Sequence, residues 1–146
     1  MELKGQYSFD GTAAKVWDLL TDPAVITECL PGCESCNPIE PDRYRVVLTA
    51  GVASIVARYE GTVAIVDQRP PESYRLIVEG GGRPGFVKGE SVVHLTEADG
   101  RVVVDVAGHV TVGGLVAQVG QRLLGATARM TMDRFFRCLQ QKAALG

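Results

Sequence analysis

The sequence is poor in histidine: its 146 residues include only two, His94 and His109. A catalytic centre built on clustered imidazoles is therefore not expected. A basic excess is also missing, with 15 Lys and Arg against 17 Asp and Glu and a formal net charge of -2. Proteins that wrap a duplex need a basic surface to neutralise phosphates, so nucleic acid is not an expected partner. The chain opens Met-Glu-Leu-Lys-Gly and enters a strand pattern at once, without the basic start and apolar run of a secretory leader. Long apolar runs are absent too. The longest low-charge stretch, Val106 to Gln121, is interrupted by His109 and several glycines. It falls short of the roughly 20 apolar residues of a spanning helix. These absences predict a cytoplasmic chain. What is present is an ordinary globular balance, 46% hydrophobic and 22% charged, with 17 glycines. It suffices for a single domain over residues 1–146 with one sizeable core.

Four cysteines occur, at positions 29, 33, 36 and 138. Cys29, Cys33 and Cys36 have a spacing of the kind that ligates an iron–sulfur cluster, but enzymes using it need a much larger barrel around the metal. A structural zinc would want a fourth ligand, and no histidine lies nearby. Reduced thiols in a turn shaped by Pro31 and Gly32 are the expectation, with no metal site.

Residues 2–9 alternate through Leu3, Gly5, Tyr7 and Phe9, which reads as a strand. Asp10 or Thr12 is placed to cap a short helix running to Leu20, with Val16, Trp17 and Leu20 on one face. Asp22-Pro23 opens a second short helix, which ends before Leu30-Pro31 because proline disfavours helix in the residue before it. From about Cys33 to Val112 the chain reads as strands. Tyr44, Val46 and Leu48 alternate with Arg43 and Arg45, and Tyr74, Leu76 and Val78 with Arg75 and Glu79. One apolar and one wetter face per strand describes antiparallel strands on a single core.

The last hairpin is legible in register. Asp99-Gly100 is a strong two-residue turn signal, which sets Ala98 opposite Arg101. One face then carries Leu95 opposite Val104 and Val93 opposite Val106; the other carries His94 opposite Asp105 and Glu90 opposite His109. Both histidines fall on the outward face, about 13 Å apart along the strand, as solvated cross-strand pairs that one metal ion does not bridge.

After Gly113-Gly114 the spacing predicts one long helix to about residue 143. Val116, Val119, Leu123, Ala126 and Met130 share one side, and Met132, Phe135, Phe136, Leu139 and Ala143 another. Gly120 and Gly125 fall inside this helix, where each costs up to about 1 kcal/mol against alanine. They either make room for a cavity or permit close packing on the sheet.

These elements describe an α+β, helix-grip arrangement. A curved antiparallel sheet of about seven strands wraps a long C-terminal helix, with two short helices after the first strand. Such a grip often leaves a space between sheet and helix. The inward strand positions offer Val, Leu, Ile, Tyr and Gly, with Ser91 nearly the only polar side chain. A pocket there is apolar with few anchors, as lipophilic sites are. Acid–base chemistry would need an inward carboxylate, His or Lys, which the registered strands do not supply.

Asp22-Pro23, then Cys29-Leu30-Pro31-Gly32-Cys33-Glu34, resembles the family of the carbon monoxide dehydrogenase G subunit, within the START-like (SRPBCC) superfamily. So do Gly85-Phe86-Val87-Lys88-Gly89 and the segment Val112 to Leu123. The resemblance covers nearly the whole chain. It implies a non-enzymatic accessory protein beside a molybdenum hydroxylase of the carbon monoxide dehydrogenase type. It further implies an apolar cavity for a quinone or similar lipophilic molecule and peripheral contact with the inner face of the membrane. Many members carry an apolar C-terminal tail; this sequence ends at Gly146.

The expected cavity lining is Trp17, Ile26, Tyr59, Leu76, Val93, Val104, Val116, Val119 and Leu123, with Gly120 making room. No tightly bound cofactor and no catalytic residue are expected. An alternative is a partner-docking or assembly module acting through loops. Its contact residues would be Cys29, Pro31, Gly32 and Cys33 in one loop and Arg83, Pro84 and Phe86 in the other. A third reading is a cyclase-like enzyme using an inward Glu28 or Arg83.

Overall fold

Strand β1 (Glu2–Asp10) leads into helices α1 (Ala13–Thr21) and α2 (Pro23–Cys29). Six strands follow: β2 (Cys33–Glu40), β3 (Arg43–Val52), β4 (Ile55–Arg69), β5 (Ser73–Gly82), β6 (Gly85–Ala98) and β7 (Arg101–Gly113). A 3-10 turn (Leu115–Val119) then precedes helix α3 (Gln121–Leu145). These elements come from a computed structural model that describes residues 1–145.

The local signals act as their chemistry dictates. Thr12 Oγ1 caps α1 by accepting from the Lys15 amide at 3.3 Å, and Asp22 Oδ1 caps α2 by accepting from the Ala24 amide at 2.9 Å. Pro23 takes the first helical position, where its missing N–H costs nothing. The strands form one antiparallel sheet in the order β1-β7-β6-β5-β4-β3-β2. Consecutive hairpins build it outward from β2, and the last strand, β7, comes back to pair with β1. The Asp99-Gly100 turn sets Ala98 opposite Arg101, His94 opposite Asp105 and Glu90 opposite His109, as the sequence predicts. Both histidines are exposed.

Curvature has an identifiable source in one pair. Gly61 on β4 faces Gly80 on β5, and a Cβ at Gly61 would meet the Glu79 carbonyl oxygen at 2.3 Å and Gly80 Cα at 2.6 Å. Only a missing side chain lets the two backbones approach that closely, as glycine kinks do in curled sheets.

The core is split. The main cluster gathers Phe9 of β1, Val16, Trp17 and Leu20 of α1, Ile65, Tyr74, Val93, Leu95, Val102 and Val104 of the sheet, and Phe136, Leu139 and Ala143 of α3. A smaller cluster at the far end joins Val52, Val116 and Leu124, with Met1, Val112 and Val119 packed against it. Helix α3 is seated along the β1 edge. Arg129 donates to the Lys4 carbonyl at 2.8 Å, and Gln140 donates to the Ser8 carbonyl at 2.9 Å.

Two expectations are overturned. The C-terminal helix is not continuous from Gly113: it breaks at Gly120, whose φ of 95° and ψ of 153° lie in a region essentially reserved for glycine. Gly120 is thus the joint between the 3-10 turn and α3, not a helix-interior residue. The break also resets the helical face. Leu124 takes the buried place and Leu123 is 39% exposed. Of the two apolar sides predicted, the one carrying Phe136, Leu139 and Ala143 packs on the main core.

The second correction concerns cysteine. The sequence suggests reduced thiols, yet Cys29 and Cys138 form a disulfide, with Cα atoms 5.4 Å apart. The end of α2 abuts the last turns of α3, which brings residues 109 positions apart together. Cys33 and Cys36 are free.

Candidate functional site

Between the two core clusters the sheet carries a band of inward-facing residues that remain only half-buried. They include Tyr59, Val63, Val78 and Ser91, with Leu76 and Val106 at the end where the band meets the main cluster. Side chains at these register positions point toward α3, so full burial would follow if the helix packed tightly on them. The opposing helix positions are small, with Thr127, Ala128 and Thr131 also half-buried. Thr131 turns its hydroxyl onto the Thr127 carbonyl at 2.9 Å. The result is a loosely covered apolar band whose sheet side carries no charged side chain. Burial raises the Tyr59 phenol above its ordinary value, as for a hydroxyl held in apolar surroundings.

The predicted lining residues divide three ways. Tyr59 lies in the band, and Leu76 lies where the band meets the main cluster. Trp17, Val93 and Val104 lie in the solid main cluster, where Trp17 meets Tyr74 edge-on at a centroid distance of 5.3 Å. Val116 and Val119 belong to the small cluster beyond the band. Ile26 is half-buried on α2, while Gly120 and Leu123 face solvent at the start of α3. The structure therefore brings only part of the predicted set together.

The two predicted docking loops are neighbours. In the first, Pro31 and Gly32 form a turn fixed by the Cys33 amide on the Leu30 carbonyl at 3.0 Å, and the Gly32 carbonyl accepts from Thr49 at 2.9 Å. Glu34 then pairs with Arg58 at 2.8 Å. In the second, Arg83 and Pro84 join Ile55, Val56, Ala57, Arg58 and Leu115 around a groove of about 520 Å³. Arg58 thus links the two loops. Around this tip, Val56 is 70%, Leu115 56% and Phe86 49% exposed.

One polar feature escaped sequence reading. Tyr7 of β1 donates its hydroxyl to Asp133 Oδ1 of α3 at 2.7 Å, and Phe136 stacks on the Tyr7 ring at 4.1 Å. Burial first, then the bond to Asp133, raises the Tyr7 phenol. Asp133 is the one acidic residue of α3, which is the only signal the sequence offered. The residues of the cyclase-like reading do not reach the band. Glu28 pairs with Lys142 at 2.5 Å on a side chain that is 64% exposed, and Arg83 is exposed at the tip. Among the described residues, no group of three or more His, Cys, Asp or Glu is placed to hold a metal ion. Among the same residues, no helix is long and apolar enough to cross a membrane.

A curved antiparallel sheet gripping one long helix across an apolar band defines a START-like, helix-grip protein. A START superfamily protein from Mycobacterium smegmatis shares this fold at a TM-score of 0.77 and 11% identity, over 99% of this chain and 97% of that one. The Zhui aromatase/cyclase from Streptomyces sp. R1128 does so at 0.69 and 13%, over 99% and 93%. Similarity is much greater to a conserved protein from Geobacillus kaustophilus: a TM-score of 0.94 and 35% identity, over 99% of this chain and 95% of that one. Residues 5–144 match the family of the carbon monoxide dehydrogenase G subunit (CoxG), and the chain belongs to that family. No curated protein matches the sequence.

Proposed function

We propose that this protein is a non-enzymatic accessory protein that holds a lipophilic, quinone-like molecule between its sheet and α3. In this reading it serves a molybdenum hydroxylase of the carbon monoxide dehydrogenase type. The observation that carries the reading is the band from Tyr59 to Val106, inward-facing, apolar and only half-covered. Covering such surface with an apolar ligand contributes roughly 25 cal/mol per Å². Family membership supports the partner class. The Zhui neighbour is an aromatase/cyclase, but on this chain Glu28 and Arg83 lie outside, which favours binding over catalysis. Solvent extraction of freshly purified protein, followed by mass spectrometry, tests the reading. Stoichiometric recovery of a lipophilic quinone supports it; empty protein that also takes up no added quinone refutes it.

A docking role accompanies this one. Exposed Val56, Leu115 and Phe86 at the Arg58-linked tip form an apolar contact surface of the kind that partner proteins or a membrane face cover. A pull-down of molybdenum hydroxylase subunits that is lost in Val56→Asp supports protein docking at this tip.

A further inference from the structure

Helix α2 is short and rests on β2, α1 and the last turns of α3. Its seven residues are too few for a helix to persist alone in water. Cys29 is its single buried residue; Val25 packs partly against the main core and Ile26 is half-buried. Two ties bind α2 to α3, and they come from adjacent residues. Cys29 is covalently joined to Cys138, and Glu28 pairs with Lys142 one helical turn further along α3. The ion pair is largely exposed on its Glu28 side, so water screens it and it holds the two helices only weakly. The disulfide is the stronger tie. Cys29 is buried, while Cys138 is half-buried at the rim of the main cluster.

We propose that the Cys29–Cys138 disulfide is a redox-operated latch that holds α2 on α3, and that its reduction loosens α2 while the sheet, and the Gly32 turn that is hydrogen-bonded to Thr49 of β3, stay in place. The chemistry is thiol–disulfide exchange with a dithiol. The dithiol's two sulfurs give up two electrons and two protons and close into their own disulfide. The Cys29–Cys138 bond breaks and each sulfur gains a proton. The chain's other thiols do not substitute for the external dithiol. Burial pushes the Cys36 thiol up to about 11 and raises Cys33 as well, so both remain protonated and poorly nucleophilic at neutral pH. The latch does not depend on the proposed ligand, so it can stand or fall apart from that reading.

Hydrogen exchange on the full chain, read by mass spectrometry with thiol alkylation, tests the latch. Oxidised protein should show two alkylatable thiols after denaturation and dithiothreitol-treated protein four, matching the cysteine assignment. On reduction, amides of residues 24–30 should exchange at least about tenfold faster, with β6 and β7 unchanged. Cys138→Ser should show the fast pattern without reductant and ignore dithiothreitol. Equal exchange in the two states, loss of protection throughout the sheet on reduction, or four free thiols in protein kept under oxidising conditions would each overturn the proposal.

Discussion

Tyr7 and Asp133 bind the first strand to the last helix: the phenol donates to the carboxylate at 2.7 Å, and Phe136 of the same helix stacks on its ring. The bond joins residues 126 positions apart, in the part of α3 that runs along the β1 edge. Tyr7→Phe keeps the ring and its stacking but leaves a half-buried carboxylate without its donor. Hydrogen bonds to charged groups contribute roughly 1.5–3 kcal/mol, and urea unfolding of Tyr7→Phe should show a loss of that order. An unchanged midpoint would mean that water replaces the phenol at no cost.

All four tyrosines have phenols raised above the ordinary value of 10.0, and for each the largest cause is burial. The folded state therefore holds these protons more tightly than the unfolded state. The resulting stabilisation is complete below pH 10 and is lost as pH rises from there through the raised folded values. Absorbance at 295 nm should show less tyrosinate near pH 10 in native than in unfolded protein, with Tyr7 and Tyr74 the last to ionise. Ionisation of Tyr7 and Tyr74 should coincide with loss of near-ultraviolet dichroism at higher pH.

Two glycines near the start of α3 should respond oppositely to alanine. Gly120 adopts φ 95°, and a methyl group added there would have nothing within 4 Å, so Gly120→Ala meets only backbone strain, about 1–3 kcal/mol. Gly125 lies within the helix, where a Cβ would touch only Met1 Sδ at 3.9 Å. Gly125→Ala should therefore stabilise by up to about 1 kcal/mol. Thermal melts of the pair separate a joint at Gly120 from a continuous helix, which would make both substitutions stabilising.

Leu139 is fully buried in the main cluster, and Leu139→Ala should cost about 2–5 kcal/mol. Met130→Ala, on the exposed side of the same helix, should change stability by less than about 0.5 kcal/mol. Equal costs would contradict this assignment of the helical face.

Local chemistry made much of the fold legible. Asp22-Pro23 fixed the start of α2, Asp99-Gly100 fixed a hairpin register, and that register turned both histidines outward. The break at Gly120 was hidden, because small and apolar residues continue at helical spacing on both sides of it. A single residue of slip then exchanged Leu124 for Leu123. The disulfide was hidden for a different reason. Cys29 lies near two other cysteines in sequence, while its partner is 109 residues away and meets it only after α2 and α3 have docked. Of the expected lining, Tyr59 lies in the half-covered band and Leu76 where it meets the main cluster, but periodicity shows only which side faces in, not how tightly a helix covers it.

The most direct measurement is a titration of the full chain with a short-tailed quinone, followed by the melting temperature and by native mass spectrometry. It should be run beside Val78→Trp, which fills the band from its sheet side. The account predicts saturable one-to-one binding that raises the melting temperature of the natural sequence. It also predicts no binding to a Val78→Trp protein that still melts cooperatively. Absence of quinone binding by the natural sequence, or equal binding by the filled variant, would contradict it.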